Sequence, residues 1–227
     1  MDWLGYSPAD LVPFSRETWL RLVAAYNAAH LSAVLGGLAA GVAVLWLAAG
    51  AAAWRSRPAL ALLGVCWLWV AWAFLHRALG PLLWAADWLA LGFAVQGALL
   101  LLSALMPVRG SGQPPRWARL AGWCLLACGV VLLPLAQGLL GRELAAVGWF
   151  GTSPTPTALA TLGLVALLPG GRAWPLLPLP VLWCLLASAM LGVFAEPLWP
   201  LPGAAAAAAV LLRLAPRGKG PIRQLSQ

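Results

Sequence analysis

Apolar residues run along this chain in long blocks broken by short polar or proline-glycine turns, and that alternation holds from residue 31 to residue 215. A helix that crosses the hydrocarbon core of a bilayer needs about 20 mainly apolar residues, within roughly 17 to 25. On that rule the pattern predicts seven transmembrane helices, at approximately 31–53, 58–77, 82–106, 117–140, 154–169, 175–194 and 198–215. The breaks between them read "RSRP", "GP", "RGSGQPPR", "GRE", "GGR" and "EP". The fifth block is short, and the seventh holds six consecutive alanines, Ala204 to Ala209, which supply little hydrophobic drive. Ahead of the first span, residues 1–30 form a tail and a helix starting near Ser15, in which Trp19, Leu22, Val23 and Tyr26 recur at helical spacing. This reads as a short amphipathic helix lying in the membrane interface.

Composition agrees: 63% of the 227 residues are apolar, 9% are charged and the mean hydropathy is +0.87, far from the soluble range. The expected fold class is all-α, a polytopic membrane helix bundle. The net charge of +8 does not point to nucleic acid, because the fourteen basic residues fall in ones and twos between apolar runs and form no stripe that would track phosphates. It reports topology instead, since basic residues are retained on the cytoplasmic side of a span. With seven crossings and the N-terminus outside, Arg55, Arg57, Arg109, Arg116, Arg119, Arg172, Arg213, Arg217, Lys219 and Arg223 all fall inside, the last three in a basic tail at 216–227. Arg16, Arg21, Arg77 and Arg142 fall outside with every carboxylate in the chain, Asp2, Asp10, Glu17, Asp87, Glu143 and Glu196. Tryptophans mark the same boundaries, with Trp54, Trp117 and Trp174 at inner ends and Trp84, Trp88, Trp149 and Trp199 at outer ends. The acidic residues near the start argue against a cleaved signal peptide.

Candidate chemistry is sparse and lies on the outer side. The stretch "FGTSPTPTALATLG" (Phe150 to Gly163) gathers hydroxyls and two prolines where the fifth helix begins. Helix starts expose backbone N–H groups and the positive end of the dipole, so Thr152, Ser153, Thr155 and Thr157 either cap those groups or join them around a polar ligand or anion. The capped, rigid helix start is the preferred of the two readings. Asp87, placed inside an apolar helix, is expected to face the bundle interior or a cation, with Arg77 or His76 the nearest candidate partner. His30 and His76 invite a haem reading as axial ligands, and Cys124 and Cys128, four apart, a soft-metal reading; interfacial histidines and buried packing thiols are preferred for both. Gly37 and Gly41 form a GxxxG that suits close helix packing, either inside the bundle or against a membrane-protein partner or second copy. A retinal Schiff base is excluded because the only lysine, Lys219, lies beyond the last span. No Walker loop, HExxH or GxSxG occurs, so no enzyme class is indicated.

Three stretches together resemble a bacterial multi-pass family, domain of unknown function 6064: "PFSRETWLRLVAAYNAA", "WLWVAWAFLHRALGP" running into "FAVQGALLLL", and "FGTSPTPTALATLGL". Tyr26, Asn27, His76, Pro154 and Pro156 match the pattern of that family. Thr155 stands where its TPCPT-like turn has a cysteine, so chemistry resting on that cysteine is not implied for this chain. The resemblance implies a multi-pass protein of the bacterial cytoplasmic (inner) membrane and no mechanism.

The leading functional expectation is small-solute or ion binding or permeation through an outer vestibule formed by Tyr26, Asn27, His76, Arg77, Asp87, Thr152, Ser153, Thr155 and Thr157. The second is a non-catalytic accessory or scaffold subunit of a membrane complex. The third is a haem or quinone redox protein.

Overall fold

The computed structural model describes residues 12–50, 55–106, 114–169 and 171–214. The tail at 1–11, with Asp2 and Asp10, lies outside the described residues, as do Trp54, Arg109 and the basic tail at 216–227. Eight main helices follow one another: α1 (Arg16–Ala29), α2 (Leu31–Ala49), α3 (Ser56–Leu79), α4 (Ala86–Leu105), α5 (Arg116–Leu139), α6 (Pro154–Leu167), α7 (Ala173–Val193) and α8 (Pro200–Leu214). Local chemistry sets their limits. Ser15 caps α1 by accepting the Thr18 N–H at 3.3 Å, Gly80 and Pro81 end α3, and proline occupies the first position of α6 and α8, where no hydrogen bond is lost.

Among the described residues, five helices are long and apolar enough to cross a membrane: α2, α3, α4, α5 and α7. The fifth and seventh expected spans, the two marked as weak, form shorter apolar helices of 14 and 15 residues. At 1.5 Å per residue α6 rises about 21 Å, short of a hydrocarbon core of about 30 Å. Shelter explains the short length. Twelve of the fourteen α6 residues are buried, whereas α2 buries five of nineteen. A helix enclosed by protein can end below the membrane surface, because its end groups meet protein rather than lipid. The alanines of α8 have a matching role, since Ala205, Ala206 and Ala209 form its buried face and let it lie close to its neighbours.

α6 sits at the centre with α3, α5, α7 and α8 around it, while α4 packs mainly against α3 and also touches α7. The α5–α6 contact is the tightest. A Cβ at Gly129 would meet the Ala160 N and the Pro156 O, and one at Gly163 would meet the Leu126 N, so at both crossings backbone touches backbone. Gly129 lies in a π-helical stretch of α5, Cys128–Leu132, where the extra residue per turn shifts the packing face. The GxxxG face of α2 is filled from within the chain: a Cβ at Gly37 would meet the Phe150 O, and one at Gly41 would meet Val130 and the Phe150 ring.

α1 lies against one end of the bundle. Its apolar stripe is turned toward protein, with Trp19 and Tyr26 edge-on to Phe74 at ring-centroid distances of 5.7 and 5.1 Å. The bundle thus has two unlike ends. The end carrying α1 gathers Arg16, Arg142 and Glu196; at the other, Arg57 donates to the Ala104 and Leu105 carbonyls and Arg213 to the Leu168 carbonyl, each capping a helix C-terminus.

Candidate functional site

The turn before α6 is built by its own hydroxyls. Gly151, at φ +79, supplies the left-handed step, and a side chain there would also crowd the Gly37 backbone and the Cys66 Sγ. The Gly151 N–H donates to the Thr157 Oγ1 at 3.0 Å, and Thr157 donates in turn to the Ser153 O at 2.8 Å. The Ser153 N–H is taken by the Trp149 O at 2.9 Å. Farther along, the Thr161 Oγ1 accepts from the Trp67 Nε1 at 2.8 Å, and the Thr155 Oγ1 accepts from the Trp183 Nε1 at 3.2 Å. One hydroxyl is left over: the Ser153 Oγ is buried without a hydrogen-bond partner among the described residues.

Ser153, Pro154, Thr155 and Pro156 line a cavity of about 140 Å³ at this end of the bundle. Its polar wall is closed by Glu196. One oxygen accepts from the Arg16 Nε at 2.7 Å and the other from the Arg142 Nη2 at 2.7 Å, and the carboxylate is 8% exposed. The backbone of Glu196 is held by the end of α7. Ala195 adopts φ 53, its N–H donates to the Gly192 O, and the Glu196 N–H donates to the Leu191 O, the paired bonds of a Schellman cap. Gln137, also on the wall, accepts the Gly148 N–H at 2.9 Å. The apolar wall comes from Trp19, Val23, Phe74, Leu133 and Met190.

Of the residues expected at an outer vestibule, Ser153 and Thr155 reach this cavity and Thr157 supports it from behind. The others lie elsewhere. Thr152 is buried, its hydroxyl donating to the Trp149 O. Asn27 ties α1 to the following loop by donating to the Ala145 and Val147 carbonyls at 2.7 and 2.9 Å. Tyr26 accepts from the Trp69 Nε1 at 2.9 Å; burial pushes its phenol up to about 12 against that bond, so it stays neutral at ordinary pH. Asp87 does not enter the bundle interior, and it pairs with the His76 Nδ1 at 2.7 Å rather than with Arg77. That pair is open to its surroundings, with side chains 55% and 68% exposed, and Arg77 is exposed as well. The reason is where α4 starts: Leu82 to Ala85 turn, so Asp87 falls in the first helical turn, where a carboxylate complements the dipole.

The weaker candidates are engaged in ordinary contacts. The His30 Nδ1 lies 3.0 Å from the Tyr26 O, with its ring edge-on to Trp69. Cys124 is exposed on α5 and Cys128 half-buried; no group of three or more metal-ligating side chains forms among the described residues. The residues that sequence reasoning missed are Arg16, Arg142 and Glu196. A signal was present, because Arg16 and Arg142 are two of the four arginines that the charge pattern leaves on the outer side.

No curated protein and no solved structure matches the chain. Residues 16–220, nearly the whole length and including the cavity from Arg16 to Pro202, match a family of unknown function (DUF6064), and the chain belongs to that family.

Proposed function

We propose that this protein binds a small polar solute in the cavity at the N-terminal end of α6. One observation carries the reading: Arg16, Arg142, Glu196, Ser153 and Thr155, polar residues from four separate parts of the chain, line one cavity beside the N-terminal end of α6, the positive end of its dipole. A cavity with an apolar wall and a few convergent polar groups is the usual form of a small-ligand site. The reading covers binding and not an open pore, since α6 fills the bundle axis below the cavity.

The proposal includes seven crossings, with the N-terminus outside and the C-terminus in the cytoplasm of a bacterial inner membrane. Its support is the charge distribution and the shelter given to the two short helices, α6 and α8. The cavity then opens outward. A single cysteine added to the C-terminal tail is expected to resist an impermeant maleimide in intact cells and to label after permeabilisation. Labelling in intact cells overturns the orientation.

Binding is tested by thermal unfolding in mild detergent with a panel of small organic acids, amides and inorganic anions. A solute at about 100 times its Kd adds roughly 2.7 kcal/mol of stability, a rise of several degrees for a chain of this size. A rise in the wild type that is lost in Met190→Trp, which fills the apolar wall, supports the site. A panel that moves neither protein, or moves both equally, overturns it.

A further inference from the structure

Resting on that reading, we propose that α1 is a movable cover over the cavity, pivoting at its C-terminal end and latched at its N-terminal end by Arg16 on Glu196. Three features of the helix carry this, and the first is position. Arg16, Trp19 and Val23, three and four residues apart and so on one helix face, form the wall that α1 gives the cavity. The rest of the lining belongs to the helices and loops of the bundle from Phe74 onward. Swinging α1 aside therefore opens the cavity on that side and leaves its other walls standing.

The second is how the two ends of α1 are held. Near its C-terminus the Asn27 amide donates to the Ala145 and Val147 carbonyls, and the Tyr26 hydroxyl accepts from the Trp69 Nε1. A single residue, His30 at φ −124 and ψ 37, then separates α1 from α2, and α2 starts without a side-chain cap. Such a junction at the end of an element is where a hinge rotation is absorbed. At the other end, among the described residues, the Arg16 bond to Glu196 is the one polar link between the first turn of α1 and the bundle. Beside it lie ring contacts, Phe14 with Phe194 and Trp19 with Phe74.

The third is what release leaves behind. Taking the partner from a buried carboxylate is normally costly, because it strands a charge. Glu196 is spared this: its second oxygen keeps the Arg142 Nη2 at 2.7 Å, and Arg142 is only 9% exposed. Arg16 is 44% exposed and already within the field of the neighbouring Glu17 carboxylate, so its guanidinium passes to water and a second counter-charge. The Arg142 bond thus belongs to the fold, and the Arg16 bond is the separable one. Trp19 and Val23 exchange protein for the membrane interface, a setting that suits an amphipathic helix carrying tryptophan.

Access of a charged methanethiosulfonate to Leu133→Cys tests the latch, because Leu133 is a buried position of the cavity wall on α5. Labelling is followed in the purified full-length protein, without solute, and assigned by peptide mass spectrometry. It is expected to be slow with Arg16 in place, about fivefold faster with Arg16→Gln added, as loss of one partly exposed ion pair allows, and slow again with Arg16→Lys. The buried native Cys184 is expected to label at one rate throughout. Val23→Cys, on the inner face of α1, repeats the test should the leucine variant misfold. A rate at either position that ignores Arg16→Gln overturns the cover. An equal rise at Cys184 also overturns it, since the whole bundle then loosens. A rate that responds to Arg16 while the solute panel binds nowhere keeps the cover and overturns the solute reading; binding with an unresponsive rate does the reverse.

Discussion

The two ends of α6 receive opposite treatment from the same bundle. At the C-terminal end the buried guanidinium of Arg213 comes in from α8 and donates to the Val165 and Leu168 carbonyls at 3.4 and 2.9 Å, answering the negative end of the dipole. At the N-terminal end, prolines delete donors, Thr157 closes the turn, and the Ser153 hydroxyl is buried without a partner beside a cavity. A helix buried on all sides must have its end groups met by protein, or they cost about 1 to 3 kcal/mol each. The contrast separates an end that holds the fold from an end kept open at some cost in stability, as binding sites often are.

Each side of this contrast can be broken separately. The largest expected effect comes from the closed end: Arg213→Met leaves buried carbonyls without a charged donor and is expected to cost about 3 kcal/mol, read as a lowered denaturation midpoint in detergent. Solute-dependent stabilisation should survive in whatever folded protein remains, and its selective loss would mean the two ends are not separable. Next is the seam along α6. Gly129→Ala places a methyl against the Ala160 and Pro156 backbone, forces α5 away from α6, and is expected to cost about 2 kcal/mol by the same measurement. An unchanged midpoint would show that α5 and α6 do not touch there.

The smallest expected change in stability, and the sharpest test, is at the open end. Removing a buried hydroxyl that has no partner relieves a desolvation cost, so Ser153→Ala is expected to be neutral or up to about 1 kcal/mol more stable without solute. Clear destabilisation without solute would mean that the hydroxyl is bonded within the fold, and the two ends would then be alike.

Much of the fold is legible along the chain. The apolar blocks locate every helix to within a few residues, because membrane-length periodicity and proline or glycine breaks are local properties. The two blocks that looked weak, one short and one rich in alanine, are the two that fall below spanning length. The hydroxyl-rich turn before α6 was visible as a helix start with surplus polar groups, and Ser153 and Thr155 do reach the cavity. Asp87 stood out for a carboxylate in an apolar run, and the late start of α4 leaves it paired with His76 on an open surface.

By itself the sequence determined the helical class, the helix limits and the uneven placement of charge, since each depends on neighbours within about twenty residues. Only the tertiary structure decided that α6 is the enclosed helix and that its first turn borders a cavity. The cavity wall joins Arg16 to Glu196, 180 residues apart, with Arg142 on the same carboxylate. No local pattern encodes that meeting, because an apolar helix facing lipid and one facing protein are written in the same residues, and only packing distinguishes them.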